Sequence, residues 1–344
     1  MDPLTQGLLG AGLAASFAKK DKLKLAAICG ALGGMAPDLD VFIRSSTDQL
    51  LFIEYHRHFT HSLAFVPFGG LIVAAFLYLF FRNKESFKHV YIFATLGVLT
   101  HGLLDACTSY GTRLLWPFSD FRVSWNIISI IDPIYTITLL VFLVLALFRK
   151  SPLLMRVGLV LSFLYMAFCF IKHEKVKSFI ADIAKDRGHE VERILLNPTI
   201  GNNILWRSVY QSGGNYYIDA VYMPSFATPI MQEGMKIKVI NKETVFPELG
   251  ASSVQREGIR RFSYFSQDYI YIHPDHENMI ADLRYGTLPY DDKSLWGIKV
   301  DLDQPEKHVT FGNLRNINDK HYDEFWLMLN GKFKKYEINE NTNN

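Results

Sequence analysis

Apolar residues are massed in the first half of the chain. Leu63–Phe81 is nineteen residues without a charge, and at 1.5 Å per helical residue such a run crosses a hydrocarbon core of about 30 Å. His89–Cys107, Ile127–Phe148 and Leu153–Ile171 are further blocks of this kind, each with a few polar or ionisable exceptions. Leu4–Ala18 and Leu23–Ala36 are shorter and rich in Gly and Ala, which suits two tight spans or a re-entrant hairpin. The pattern predicts six membrane segments within residues 1–171.

After Ile171 the pattern changes. Lys172 to Arg193 is charged and helical in character and leads out of the membrane. Then "ILWRSVY", "NYYIDAVYM", "DYIYIH", "MIADLRY", "GIKVDL" and "EFWLMLN" read as short β-rich runs separated by Gly, Asn, Asp and Pro turns. The expected fold class is an α-helical polytopic membrane domain, residues 1–171, followed by a β-rich (α+β) extramembrane domain, residues 172–344. No internal repeat stands out, no Gly-rich phosphate loop follows a strand, and the tail "KFKKYEINENTNN" reads as frayed.

Composition sharpens this only when read by half. The 344 residues carry a formal charge of +2 and a mean hydropathy of +0.09, averages that conceal an apolar half and a charged one. The near-neutral balance, with no basic stripe, gives nucleic-acid binding little support. A signal peptide has the wrong order here, since Asp2 leads and Lys19, Lys20, Lys22 and Lys24 follow the first apolar block. Cys29, Cys107 and Cys169 lie in or at the ends of apolar segments with no CxxC spacing, so they read as packing residues.

Basic residues mark cytoplasmic loops. They collect at Lys19–Lys24, at Arg82, Lys84 and Lys88, and at Arg149, Lys150 and Arg156, which are alternate connections of a six-segment chain. That arrangement predicts a multi-pass protein of the cell membrane. It puts the N-terminus, loops 37–62 and 108–126 and the C-terminal domain on the extracytoplasmic side. The candidate chemistry gathers on that same side.

"HGLLD" sets His101 and Asp105 four residues apart, on one helical face, where imidazole and carboxylate reach one ion. "APDLD" offers Asp38 and Asp40 just after a proline that ends the second segment. "YHRHFTHS" concentrates His56, His58 and His61 before an apolar helix. His58 and His61 share a face if the stretch is helical, and either His56 or His58 pairs with His61 if it is partly loop. Ionisable groups in or beside membrane helices usually face a bundle interior or wet cavity.

The expected site is therefore one or two metal ions held by a set drawn from Asp38, Asp40, His56, His61, His101 and Asp105, with His58 as a substitute. Mixed imidazole and carboxylate donors suit Zn first, with Mn, Fe or Ni as other choices. Such an ion activates water and polarises a carbonyl or phosphoryl oxygen, which is hydrolytic chemistry. Arg57 and Asp40 are the candidate catalytic residues, Arg57 because its planar fork suits an anionic substrate. Thr60 and Ser62 read as caps of the following helix. Asp132 either serves the cavity or begins the helix at Pro133, the aromatic loop "TSYGTRLLWPFSDFRVSW" reads as an interfacial anchor, and "HPDH" at 273–276 reads as a polar turn.

Taken together, "GGMAPDLD", "HRHFTHS" and "HGLLDACTSYGTRLLWPFS" resemble the YdjM-like family of membrane-bound proteins, also described as LexA-binding, inner-membrane-associated hydrolases. "DLRYG" at Asp282–Gly286 is similar to a segment of that family's longer members. The resemblance implies a metal-dependent hydrolase and points to Asp38, Asp40, His56, Arg57, His61, His101 and Asp105. His58 stands where relatives commonly have a small residue. No substrate comes with the resemblance. The depth of the site favours a lipid-like or other amphiphilic ester or phosphoester at the outer leaflet, with membrane lipid as the surroundings. The rivals are a non-catalytic regulator that binds a protein partner around a structural metal, and an ion transporter.

Overall fold

The computed structural model describes residues 1–333, so nearly all of the tail "KFKKYEINENTNN" lies outside the described residues. Six apolar helices form the N-terminal region: α1 (Pro3–Phe17), α2 (Leu23–Met35), α4 (Val66–Phe81), α5 (Phe87–Ala106), α6 (Pro133–Phe148) and α7 (Pro152–Asp186), with a short α3 (Leu51–Tyr55) in the second connection. Four stretches are long and apolar enough to cross a membrane: Lys20–Phe42, Leu63–Phe81, Phe87–Ala106 and Pro152–Asp186. α1, with 15 residues, and α6, with 16, are shorter.

α6 departs from the expected block at Ile127. It starts at Pro133, whose ring fits a first helical turn but not a helix interior, and Asp132 caps it by accepting from Tyr135 N at 3.0 Å. The preceding residues run extended beside the end of α5, with Trp125 N donating to Ala106 O and Ile127 N to Cys107 O. Beyond the bundle, α7 continues past Ile171 to Asp186 as one helix. Its Val176, Ile180 and Ala184 form a buried stripe against the first sheet.

The Gly- and Ala-rich composition of α1 and α2 has a physical use. A Cβ on Gly97 of α5 would lie 2.1 Å from Gly30 O of α2, and one on Gly10 of α1 would lie 2.3 Å from the same oxygen. Without side chains at these positions three backbones come into direct contact, a close approach that small residues permit in membrane bundles. The contact fixes the end of α2 beside the C-terminal turns of α5. On the bundle's outer faces, Phe68, Ile72, Phe76, Ile137, Val144 and Phe163 are exposed, as a lipid-facing surface requires.

The basic connections share one end of the bundle. Lys22 pairs with Glu85, and Arg156 Nε donates to Ser16 O at 2.9 Å. The acidic and histidine motifs lie at the other end.

The C-terminal half is α+β. β1 (Arg193–Pro198), β2 (Leu205–Ser212), β3 (Asn215–Tyr222) and β4 (Ile230–Lys238) form an antiparallel meander, in which Val209 faces Ile218 and Tyr210 faces Tyr217. Gly213 and Gly214 turn β2 into β3 with φ of 54° and 74°, the backbone a tight hairpin needs. After α8 (Val254–Phe265), a second antiparallel meander follows: β5 (Ile270–Ile272), β6 (Met279–Asp282), β7 (Trp296–Lys299) and β8 (Thr310–Asn313). Val209 and Ile218 of the first sheet pack with Tyr271 and Ala281 of the second.

One expected strand is a helix. "EFWLMLN" falls in α9 (Asp319–Leu329), opened by a capping box in which Asn318 and His321 exchange hydrogen bonds. Phe325, Met328 and Leu329, spaced by three and one, pack on Leu205 and Ala220, a helical rather than alternating pattern.

Candidate metal centre

Two chain segments converge on α5. α2 ends at Met35 and continues as a 3-10 turn, Ala36–Phe42, that carries Asp38 and Asp40. The histidine stretch folds as α3, a reversal at Arg57, and a 3-10 turn at Phe59–His61. Gly102 lets that turn rest on α5, because a Cβ there would lie 2.1 Å from His61 O. Asp40, Arg57, His61, His101 and Asp105 are all buried, and Asp38 is 22% exposed.

His101 Nδ1 donates to Gly34 O at 2.5 Å, and His61 Nδ1 lies 3.2 Å from Asp40 Oδ2. Each imidazole therefore keeps its proton on Nδ1 and directs Nε2 at the other, 2.9 Å away. Two lone pairs at that distance repel unless a proton or a cation lies between them. Asp38 Oδ1 is 3.4 Å from His61 Nε2 and 3.3 Å from His101 Nε2; Asp105 Oδ2 is 3.3 and 3.7 Å from the same atoms. A four-coordinate ion with bonds of about 2.0–2.1 Å separates its ligand atoms by about 3.3 Å.

Asp38, His61, His101 and Asp105 thus form a cluster that could hold a metal ion. Asp105 Oδ2 is buried and accepts no well-directed hydrogen bond, although Arg57 Nε is 2.9 Å away. An oxygen with no well-directed donor keeps a lone pair for a cation. Burial alone lowers the His61 pKa, but the carboxylates of Asp105, Asp38 and Asp40 outweigh it and push it up to about 10. The pocket favours positive charge where its nitrogens meet.

Asp38, Asp40 and His56 make a second group with ligand atoms in reach of one another. Asp40 is already heavily engaged. Its Oδ1 pairs with His56 Nδ1 at 2.8 Å, and its Oδ2 accepts from Arg57 N at 3.1 Å and Thr60 Oγ1 at 2.7 Å besides facing His61. A carboxylate behind a histidine fixes its tautomer and orientation. Thr60, expected as a cap, is therefore tied to Asp40; Ser62 does cap, accepting from Phe65 N at 3.3 Å.

Arg57 reverses the chain with φ of 64°, a conformation non-glycine residues hold only when their surroundings over-determine it. Here its N–H reaches Asp40, its carbonyl accepts from Arg113 N at 3.0 Å, and its Nη1 donates to Thr108 Oγ1 at 2.8 Å. The reversal sends His58 away from the cluster, where its ring meets Arg113 and Trp116 and its Nδ1 accepts from Phe59 N. Burial, with Arg113 beside it, pushes the His58 pKa down to about 4.

Several participants were not foreseen. Gln6 of α1 donates to Asp105 Oδ1 at 2.9 Å, and the nitrogen of Met1 also reaches that oxygen. A lone amide inside a Gly- and Ala-rich apolar segment was the available signal. Tyr110 lies under Arg57, whose guanidinium is 4.8 Å from the ring centroid. The Tyr110 carbonyl accepts from Arg284 at 3.1 Å, so the "DLRYG" segment, with its buried Asp282–Arg284 pair, braces the site loop from the C-terminal half. Asp132 caps α6 and accepts from Tyr165 instead of joining the cluster, and "HPDH" forms the turn between β5 and β6. A cavity of about 840 Å³ between α5, α7 and β1 includes no cluster residue in its lining.

A bundle of apolar helices closing over a buried His and Asp cluster, with an α+β region braced against it, defines an integral membrane protein with a candidate metal centre. The chain belongs to the YdjM inner membrane protein family, whose profile it matches over residues 1–176. It is 28% identical over 187 residues to the uncharacterized protein YfhP of Bacillus subtilis (strain 168), covering 54% of this chain and 55% of that one. It is 32% identical over 105 residues to the inner membrane protein YbcI of Escherichia coli (strain K12), covering 29% of this chain and 60% of that protein. The chain thus spans a little over half the length of these relatives. No solved structure matches it.

Proposed function

We propose that the protein is a membrane-embedded, metal-dependent hydrolase whose site lies at the outer leaflet and acts on an amphiphilic ester or phosphoester. One observation carries this reading: two imidazole Nε2 atoms oriented at each other 2.9 Å apart between the carboxylates of Asp38 and Asp105. Two nitrogens and two oxygens at these separations suit zinc. His61, His101, Asp105 and Asp38 are the assigned ligands. Asp40 and the Gly34 carbonyl orient the imidazoles, and Gln6 and Arg57 position Asp105. A bound divalent ion supplies Lewis acidity toward water and a carbonyl or phosphoryl oxygen.

Asp38 is the exposed member of the set, and its side is where substrate and water have access. Four protein donors would close a tetrahedral ion. The catalytic reading therefore requires Asp38, the least buried of the four, to yield its position to water or substrate, leaving His61, His101 and Asp105 as the three retained ligands. The test is a screen of acyl and phosphoryl amphiphiles against zinc-loaded protein in nanodiscs, with chelator and His101→Ala controls. Turnover abolished by both controls supports the proposal. Turnover that survives His101→Ala, or none across the screen, favours the rival reading of a non-catalytic, partner-binding membrane protein with a structural metal.

A further inference from the structure

Where the loop after α5 meets α8, a cavity of about 340 Å³ opens among Arg113, Arg122, Arg260 and Arg261, with the carboxylates of Glu54, Asp120 and Glu257 also on its wall. These guanidinium groups are unequally neutralised. Arg261 pairs with Asp48 at 2.9 Å and Glu54 at 2.6 Å, and Arg260 with Glu243 at 2.7 Å and Glu257 at 3.4 Å. Arg113 has one carboxylate within reach, the exposed Asp120 at 3.4 Å. Arg122 has none among the described residues.

Arg122 is 2% exposed, and it makes one hydrogen bond, from Nη2 to Gly111 O at 2.8 Å; its Nε and Nη1 are buried without partners, as is Nε of Arg113. A buried, uncompensated guanidinium is costly, and burial pushes the Arg122 pKa down to about 10. Both groups are backed by rings: Arg113 lies 5.0 Å from the Tyr264 centroid, and Arg122 lies 5.4 Å from that of Phe265. Stacking holds the flat face of a guanidinium and leaves its edge to donate. In the same loop Phe118 and Phe121 are 89% and 68% exposed, which suits aromatics dipping into the headgroup region.

We propose that this cavity binds a phosphate-bearing anion at the membrane surface, with Arg113 and Arg122 supplying the donors. Two guanidinium edges present the forked hydrogen bonds that phosphate oxygens accept. The site is separate from the metal cluster and does not depend on the hydrolase reading. The phosphoryl group belongs either to a lipid headgroup or to a soluble phosphate.

The test uses the full chain in phosphatidylcholine nanodiscs, titrated with inorganic phosphate, and in nanodiscs that also contain phosphatidic acid, with binding read as a rise in Tm. Binding weakened about tenfold or more by Arg122→Gln and by Arg113→Gln is expected. A response to phosphatidic acid alone assigns a lipid headgroup; a response to inorganic phosphate assigns a soluble ligand. No response to either probe, or a response unchanged in whichever of the two variants folds, overturns the proposal. Arg113 is partly exposed, so its variant keeps the test open if loss of the buried Arg122 unfolds the chain.

Discussion

Gly97→Ala tests whether close backbone packing sets the site. The added Cβ would stand 2.1 Å from Gly30 O and 2.7 Å from Gly34 N, both backbone atoms that no rotamer change can move. Restoring a carbon–oxygen contact of about 3.3 Å requires α2 and α5 to separate by about 1.2 Å. Overpacking of this kind costs about 1–3 kcal/mol. It also moves Asp38, on the turn after α2, away from His101 on α5, where the two now stand 3.3 Å apart. Displacing a metal site's supports by this much weakens it about 10–100-fold.

The assay is zinc affinity by competition with a chromophoric chelator, beside thermal unfolding, on detergent-purified protein. Gly69→Ala is the matched control, because its Cβ meets only side chains, the nearest being Val98 Cγ1 at 3.1 Å, on the α4–α5 contact away from the cluster. The expected outcome is a large loss of affinity in Gly97→Ala and a small one in Gly69→Ala. Equal affinities in Gly97→Ala and wild type would refute the idea that the α2–α5 contact positions the ligands.

Other outcomes follow from named groups. Asp40→Asn keeps the volume but loses the charge behind His61, and chelator competition should show about 10–100-fold weaker metal binding; unchanged affinity would remove Asp40 from the orienting role. Asp219, 1% exposed and gripped by Arg187 through two bonds of 2.7 and 3.0 Å, ties the end of α7 to β3. Asp219→Ala should cost on the order of 2–4 kcal/mol in denaturant unfolding, and a loss within error of zero would show that the pair is inert. Burial raises the Asp291 pKa from 3.8 to about 6 in the fold. The folded state therefore takes up its proton first, stability rises as pH falls from 6 to 3.8, and the charged form costs on the order of 3 kcal/mol above that window. Asp291→Asn should flatten that part of a pH–stability profile, which an unaltered profile would contradict. A reporter fused after Asn344 should report the extracytoplasmic side, and a cytoplasmic signal would invert the proposed orientation.

The membrane half was legible because hydrophobic length is a one-dimensional property. Leu63–Phe81 coincides with a span, and His101 and Asp105 share a face because 3.6 residues complete a turn. The start of α6 does not show in hydropathy, which does not register a chain running extended along a helix end; Asp132–Pro133 carries that start. Pairing across segments was less visible. That His58 turns away while His56 meets Asp40 depends on Arg57 adopting a positive φ, a choice made by three hydrogen bonds to distant residues. Gln6, Tyr110 and Arg284 reach the site from three separate parts of the chain, and no local pattern announces such contacts. In the C-terminal half, β1, β4 and β8 escaped notice because they lack clean alternation, as in "TFGN" and "IMQEGMKIK".

Under the proposed function His61, His101, Asp38 and Asp105 enclose one metal ion. The decisive measurement is metal content by mass spectrometry of detergent-purified protein, wild type beside His101→Ala and Asp105→Ala. The expected result is zinc, or another divalent transition metal, in wild type and its loss from both variants. A wild type that stays metal-free after supplementation, or variants that retain the ion in full, would contradict the claim.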